Sequence, residues 1–177
     1  MQPLAPQRGI APRTEQIILF RCSSQLFAIS SASVQEVRSV DNLAGAATDI
    51  VGAGIPKVRH VLRRGEKTIF VVNAALHFGL RPSPPALIFL LRRSRVALLI
   101  DGIEKMTTMS RLQALPGAFC HGERQWYRGI TVLDQDVLPV VNPEGFLTPE
   151  ELELLEHSNV LAASLESAIT LPAEFTS

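Results

Sequence analysis

Apolar residues of this chain come in short runs separated by polar or turn-forming residues, a pattern typical of β-strands. The runs are rich in Val, Ile, Leu and Phe, which suit the packed surface of a pleated sheet. Strands are predicted at 16–22, 26–29, 68–73, 86–91, 96–100, 128–133 and 137–141. Several neighbouring runs are close enough to form hairpins, and no helix alternates with them regularly. The sequence therefore predicts an all-β fold, built as one barrel or a pair of barrels.

Two short helical segments and one loop are predicted between these strands. Val34 and Val37 lie three residues apart, behind serines that can cap a helix. They predict a short helix over 34–37 with both valines in the core. A helical turn is predicted over 74–78, and the Ala- and Gly-rich segment 41–56 is predicted to be a surface loop.

The clearest helix signal lies near the C-terminus. Thr148 is a good N-cap residue, Pro149 suits the first helical position, and Glu151 completes a capping box. Leucines follow at spacings that place them on one side. The C-terminal helix is therefore expected to pack on the sheets through an apolar face.

Length and composition favour one globular unit with short tails. Residues 1–14 contain prolines and no apolar periodicity, which predicts a flexible tail without a signal peptide. The domain is predicted to span 15–162, and residues 163–177 are predicted to fray. Two cysteines in a chain without an export signal indicate free thiols in the reducing cytoplasm.

The charge composition argues against a nucleic-acid binder. Seventeen basic and seventeen acidic residues give a formal net charge of zero, so the chain lacks the basic field that attracts a phosphate backbone. The short cluster of Arg92, Arg93 and Arg95 falls where a hairpin turns and is interpreted as a solvated turn. No apolar run reaches the roughly 18 residues of a membrane span, so direct membrane insertion is not expected. Only 19% of residues are charged, which leaves apolar surface for protein partners.

Residue types that carry catalysis or bind metals are present but scattered. The four histidines show no metal-ligand spacing, and neither a nucleophile elbow nor a phosphate-binding glycine loop occurs. The nearest candidate is Cys120 beside His121, which would make the chain a thiol-dependent hydrolase or redox protein. Sequence neighbours on a loop seldom place a base within reach of a thiol. The preferred interpretation is that the chain is no enzyme and binds no cofactor or metal.

A turn of Arg63, Arg64 and Gly65 precedes the strand predicted at 68–73. One interpretation is the solvated tip of a hairpin, as for most such turns. The other is that the turn presents a fixed arginine to a protein partner. The residues of the turn alone leave both interpretations open.

Five segments in order resemble the CheW-like domain family, the coupling proteins of bacterial chemotaxis. The family's opening hairpin is similar to QIILFRCSSQLFAI, and its following helix and exit are similar to SVQEVRSVDNL. Its Arg-Gly turn, strand and short helix resemble RRGEKTIFVVNAALHFGL, and a later strand resembles RVALLIDGIEKM. Its closing hairpin and C-terminal helix are similar to RGITVLDQDVLPVVNPEGFL followed by TPEELELLE. The similarity covers residues 15–160.

The resemblance implies two small five-stranded SH3-like β-barrel subdomains that share a core, with a short helix and a C-terminal helix. It implies no catalytic activity and no cofactor. Such proteins bridge a CheA-type histidine kinase and the cytoplasmic tips of chemoreceptors, and form rings with the kinase's regulatory domain. The chain is then expected to be a cytoplasmic adaptor at receptor arrays on the inner membrane. A regulator that binds the kinase without receptors is the alternative within the same fold.

The family's motifs also imply partner-binding residues in this chain. Arg64 matches the arginine of the Arg-Gly turn, with Gly65 after it. Val34 and Glu36 match the valine and the acid of the VQE segment. Leu87 falls near an apolar strand position that lines the receptor groove.

The approach to the Arg-Gly turn departs from the family pattern. Arg59 and Leu62 stand where the family usually has Gly and Asn. A glycine there permits a positive φ or a close backbone approach. Its replacement by arginine therefore leaves the choice of partner open.

Overall fold

The structure is a computed structural model that describes residues 14–43, 47–49 and 54–169, with side chains described up to residue 159 except at 43, 47 and 48. Eleven strands lie in these ranges: β1 (Glu15–Cys22), β2 (Gln25–Ser30), β3 (Val34–Ser39), β4 (Ala47–Asp49), β5 (Val58–Arg64), β6 (Lys67–Asn73), β7 (Leu87–Leu91), β8 (Val96–Ile100), β9 (Gly102–Met109), β10 (Tyr127–Leu133) and β11 (Asp136–Val141). The α-helices are α1 (Ala74–His77) and α2 (Pro149–Ile169), and 3-10 turns occupy Ser31–Ser33, Val40–Leu43 and Glu123–Gln125. The predicted all-β class is confirmed.

The strands form two sheets. One has five strands in the order β10-β11-β2-β1-β9, and the other has six in the order β3-β7-β8-β6-β5-β4. The predicted hairpins β1–β2, β7–β8 and β10–β11 are all present. Two further contacts, β11 with β2 and β6 with β8, are parallel. The chain leaves the five-stranded sheet after β2, builds the six-stranded sheet, and returns through β9.

The predicted five-stranded barrels are not confirmed, because neither sheet closes within the described residues. In the five-stranded sheet, β9 and β10 are the two edges. A single bridge between Gln113 and Ile130 joins β10 to the segment after β9. In the other sheet, the short strand β4 adds a sixth member by pairing with β5. Each sheet therefore keeps two edge strands.

The predicted sharing of one core by both sheets is confirmed. The largest cluster of buried residues includes Phe20 and Ile29 from the five-stranded sheet, Phe70 and Phe89 from the six-stranded sheet, and Leu155 from α2. The rings of Phe20 and Phe89 meet edge to face, with 5.6 Å between their centroids, an arrangement that aromatic pairs prefer. A smaller apolar cluster belongs to each sheet alone.

The helix predicted over 34–37 is wrong, because this segment belongs to β3 and pairs with β7. Successive side chains of a strand point to opposite faces, so residues three apart cannot share one. Val34 is 7% exposed, as predicted for a core residue, whereas Val37 is 40% exposed. The β-branched valines favour a strand once a partner strand is available.

Both other predicted helices are present. The Leu76 N–H donates to Oδ1 of Asn73 at 3.1 Å and so begins α1. The predicted capping box begins α2: the Glu151 N–H donates to Thr148 Oγ1 at 3.1 Å, and the Thr148 N–H donates to Glu151 Oε2 at 3.0 Å. α2 then continues to Ile169, past residue 162, where the sequence predicts the domain to end.

Other predictions fall partly outside the described residues. The predicted loop 41–56 includes the end of one 3-10 turn and strand β4, while 44–46 and 50–53 are not described. Residues 1–13 and 170–177 are not described either, so the predicted tails and domain limits stay predictions. The β10–β11 turn consists of Asp134 and Gln135, which both have positive φ, at 51° and 74°. This is the conformation of a type I′ turn, although glutamine seldom adopts it.

Candidate protein-interaction surface

The turn between β5 and β6 is a two-residue hairpin turn. Arg64 and Lys67 form its last ladder pair, which leaves Gly65 and Glu66 as the connection. Gly65 has a φ of +60°, the left-handed conformation that only glycine adopts readily. It stands at the position where a type II′ hairpin turn places glycine. The turn therefore fixes the backbone from which the Arg64 side chain projects.

The Arg64 side chain lies beside a carboxylate. Its Nη1 is 3.7 Å from Oε2 of Glu36 on β3, and Nε of Arg38 donates to Oε1 of the same carboxylate at 2.7 Å. The hydrogen bond from Arg38 is the main cause that lowers the pKa of Glu36, and Arg64 acts in the same direction. Glu36 is therefore ionised at neutral pH and lies between two guanidinium groups.

This contact joins two strands that are far apart in one sheet. β3 forms one edge of the six-stranded sheet, and β5 is the second strand from the other edge. An ion pair between them requires the sheet to curl until its two ends approach each other. Glu36, Arg38, Arg64 and Gly65 then form one polar region, which we call the arginine surface.

The other two predicted contact residues lie outside the arginine surface. Val34 belongs to the shared core and pairs with Leu91 of β7. Leu87 pairs with Ser39 at the opposite end of β3 and packs, partly buried, against the same core. The burial of Val34 gives it a packing role in this structure. The partner-binding role of all five predicted residues stays a prediction.

Sequence reasoning missed Arg38, the closest partner of Glu36. Arg38 was missed because the segment was interpreted as a short helix that ended at residue 37. In a strand, residues two apart lie on the same face, so the spacing of Glu36 and Arg38 would have paired them once the segment was assigned to a strand. Val37, also misassigned, is an exposed apolar residue on the same strand.

Both departures from the family pattern lie in β5. Arg59 falls where the β5–β6 register shifts between Val58 and His60, an irregularity of the kind that often contains glycine. Its φ is not among the positive ones, so arginine is accommodated without left-handed backbone. Leu62 is buried in the interior of the six-stranded sheet. Arg59 thus adds an exposed cation to β5, and Leu62 adds apolar packing.

Cys120 is exposed and lies just before the third 3-10 turn. Its backbone N–H donates to Oε2 of Glu123 at 3.1 Å, and hydrogen bonds from Cys120 lower the pKa of Glu123. Cys120 also accepts a hydrogen bond from the Arg124 N–H through its carbonyl at 3.1 Å, and no hydrogen bond among the described residues joins its thiol to His121, the base that this interpretation requires. This arrangement does not favour the thiol-enzyme interpretation of Cys120 and His121.

His60 and His77 have partners other than a metal-ligand set. His60 Nδ1 lies 2.7 Å from Oδ1 of Asp49, and His77 packs among aromatic rings. Across those ranges, no group of three or more His, Cys, Asp or Glu side chains is arranged to hold a metal ion. In the same part of the chain, no helix has the length and apolar character needed to cross a membrane.

Known proteins share both sequence and fold with this chain. A family model for the CheW-like domain matches residues 16–151. A probable chemotaxis protein CheW from Rhizobium etli is 25% identical over 145 residues, with 78% of this chain and 90% of that protein covered. The crystal structure of the scaffolding protein TtCheW from Thermoanaerobacter tengcongensis is similar in fold, with a TM-score of 0.60 at 14% identity, and the match covers 73% of this chain and 90% of that one. Because the family model spans most of its length, this chain belongs to the CheW-like domain family.

Proposed function

We propose that this chain is a non-catalytic adaptor of a bacterial chemosensory array. It couples the regulatory domain of a CheA-type histidine kinase to the cytoplasmic tips of methyl-accepting chemoreceptors, and it acts on the cytoplasmic side of the inner membrane. Membership of the CheW-like family supports this proposal, as do relatives described as a chemotaxis protein and a scaffolding protein. An adaptor works by binding alone, so it depends on accessible surfaces rather than on a catalytic centre.

The observation that carries the proposal is the arginine surface. A guanidinium group recognises a carboxylate well, because its planar N–H groups form two parallel hydrogen bonds. The Arg64–Glu36 distance of 3.7 Å is longer than a hydrogen bond. Arg64 can therefore exchange Glu36 for a carboxylate of a partner protein without first breaking a hydrogen bond. The backbone of Arg64 is already paired with Lys67 in the hairpin, which lowers the entropy lost on binding.

Arg38 keeps the arginine surface intact during such an exchange. Its hydrogen bond to Glu36 is short, at 2.7 Å, and does not depend on Arg64. Glu36 thus remains paired when Arg64 turns to a partner. This avoids an unpaired carboxylate beneath the new interface, which would oppose binding.

The adaptor proposal is tested with the purified kinase regulatory domain and a cytoplasmic receptor fragment from the same organism. Sedimentation of the three proteins together should give a ternary complex. If the protein bound neither partner, the adaptor function would be overturned. Binding of the kinase domain alone would instead support the regulator that acts without receptors.

The role of the arginine surface is tested in the same assay with Arg64→Ala. Loss of a charge-assisted contact should weaken one of the two interactions about tenfold. Arg81→Ala is the matched control, because Arg81 is also exposed but lies in the proline-rich connection after α1. Equal affinities of Arg64→Ala and the control for both partners would refute the assignment to Arg64 while leaving the adaptor function standing.

A further inference from the structure

A basic cavity of about 390 Å³ lies where the two sheets meet, and the proposed adaptor function does not use it. The turn between β7 and β8 contributes Arg92, Arg93 and Ser94 to its wall. Arg128 of β10 and Glu144, from the segment after β11, line it from the five-stranded sheet. The cavity is thus lined from both sheets.

Arg92 is held in place at this junction by two hydrogen bonds. Its backbone N–H donates to the Ser33 carbonyl at 2.8 Å, and its Nε donates to the Ala32 carbonyl at 3.1 Å. These two bonds use the backbone N–H and Nε of Arg92, so the terminal nitrogens Nη1 and Nη2 of its guanidinium group remain available. Arg92 and Arg93 are both exposed, as predicted for a solvated turn, and these hydrogen bonds attach the turn to the 3-10 turn before β3.

The backbone of the turn also has an unusual conformation. Arg93 has a φ of +55°, which is uncommon for residues other than Gly, Asn and Asp. The β1–β2 and β10–β11 hairpin turns contain a similar positive φ, at Ser23 and Asp134. Ser94, the residue after Arg93, accepts a hydrogen bond from the Val96 N–H at 3.1 Å through its hydroxyl oxygen. The hydroxyl proton of Ser94 then remains able to donate to a ligand.

The charges that line the cavity do not cancel. Arg128 is neutralised by Glu15, with Nη1–Oε1 and Nη2–Oε2 distances of 2.7 and 3.2 Å. Arg92 and Arg93 form no ion pair with any residue in the described ranges of the chain. The Glu144 carboxylate is the one acidic group among the described residues that line the cavity. Two arginines with available guanidinium groups therefore face one carboxylate.

We propose that this cavity is a binding site for an oxyanion, a phosphoryl or carboxylate group, held by Arg92, Arg93 and the Ser94 hydroxyl. Both groups present the paired acceptor oxygens that guanidinium N–H groups recognise. The cavity, at about 390 Å³, is large enough to hold either group. Because the anion binds the folded arrangement of the β7–β8 turn, it stabilises the folded protein against unfolding.

The proposal is tested by titrating the protein with sodium phosphate and, separately, with sodium succinate. Sodium chloride at the same ionic strength is the reference, and amide chemical shifts report binding. A saturable shift at the β7–β8 turn is expected with at least one of the two anions. The anion that binds more tightly identifies the phosphoryl or the carboxylate group as the preferred ligand. A response to both anions no different from that to chloride would overturn the proposal.

Two kinds of variant separate binding from a structural effect. The double substitution Arg92→Gln and Arg93→Gln should weaken binding about tenfold or more, while Arg81→Gln, an exposed arginine outside the cavity, should leave it unchanged. Glu144→Gln removes the opposing carboxylate and should tighten binding by up to about fivefold. This gain cannot result from loss of folding. Unchanged affinity in Glu144→Gln together with unchanged affinity in the double variant would refute the site.

Discussion

Glu36 and Arg64 meet across the open side of the six-stranded sheet, with 3.7 Å between Oε2 and Nη1. Three strands, β7, β8 and β6, lie between β3 and β5 in the sheet order. Side chains thus bridge a gap that backbone hydrogen bonds do not close. A closed barrel would fill this gap with a backbone ladder, whereas the open sheet leaves both guanidinium groups of the arginine surface accessible.

The pKa of Glu36 provides the first prediction. Its folded-state pKa is lowered, so its contribution to stability is present above pH 4.5 and is lost as the pH falls through the lowered value. Because the hydrogen bond from Arg38 is the largest cause, Arg38→Gln should return the pKa toward 4.5 further than Arg64→Gln does. An NMR titration of the Glu36 carboxyl measures both variants. The reverse order would show that Arg64 is the main partner.

Gly65→Ala should destabilise the protein by about 1 kcal/mol, the usual cost of left-handed backbone for a residue with a Cβ. A Cβ at this position would meet no atom within 4 Å, so the whole effect arises from the φ of +60°. Gly117→Ala is the control, because a Cβ there also meets nothing and its φ is not in the left-handed region. Equal free energies of unfolding for the two variants would contradict the assigned turn.

Leu155→Ala should destabilise the protein by about 2–5 kcal/mol, because it leaves a cavity in the shared core. Leu155 is 0% exposed and its neighbour Leu154 is 56% exposed. Leu154→Ala makes the same chemical change one position away on α2 and should alter stability by less than about 0.5 kcal/mol. Urea unfolding of both variants measures the difference. Similar losses in the two would show that α2 does not dock through Leu155.

His77 makes the fold sensitive to acid. The ring packs against Phe78, Trp126 and Phe146, and its Nε2 has no hydrogen-bond partner among the described residues. Burial, and secondly the positive charge of Lys57, lower the pKa of His77 from 6.5 to about 3. The unfolded chain therefore takes up a proton at this residue well before the folded protein does.

Because the folded-state pKa of His77 is lowered, the protein should lose stability as the pH falls. The stability associated with neutral His77 is complete above pH 6.5 and is lost as the pH falls toward 3, by about 1.4 kcal/mol per pH unit. His77→Phe keeps an aromatic ring at the site and removes the proton uptake. Denaturant unfolding between pH 6.5 and 4 should show a shallower loss of stability for this variant. Parallel curves for the two proteins would contradict the prediction, because the slope would then not depend on His77.

The two cysteines should differ sharply in alkylation. Cys22 is buried, and burial followed by the charge of Asp101 raises its pKa to about 12, whereas Cys120 is exposed. Because the thiolate is the reactive form, native protein should react at Cys120 alone, and denatured protein at both. Cys120→Ser should then leave the native protein unlabelled. Labelling of Cys22 at a similar rate in the native protein would show that the core around it is open.

Local signals account for most of what the sequence predicts correctly. The capping box at Thr148 and Glu151 lies within four residues, and the hairpins β1–β2 and β7–β8 need only apolar runs with a short turn between them. Strands with mixed or polar faces were missed. β9 has mostly exposed residues, because it is an edge strand with a solvated face.

The features that the sequence did not predict depend on pairing between strands that are far apart in the chain. The assignment of strands to sheets depends on contacts such as β11 with β2, which no local pattern encodes. The turn itself indicated Arg64 and Gly65 but left two interpretations open, and only the family resemblance implied a partner contact for them and for Glu36. Their proximity follows only from the curl of the sheet. The strand assignment of β3 likewise depends on its partner β7, which overrides the weak helical spacing of Val34 and Val37.

The edge-to-face contact of Phe20 with Phe89 has a consequence for how the molecule responds to its ligands. Since the two sheets bury their aromatic residues in one cluster, neither sheet can unfold without exposing the core of the other, and the protein should melt in a single cooperative transition. A partner bound at the arginine surface therefore raises the stability of the distant five-stranded sheet as much as that of its own. When a partner binds the arginine surface, hydrogen exchange should therefore slow in both sheets, including the one that the partner does not contact.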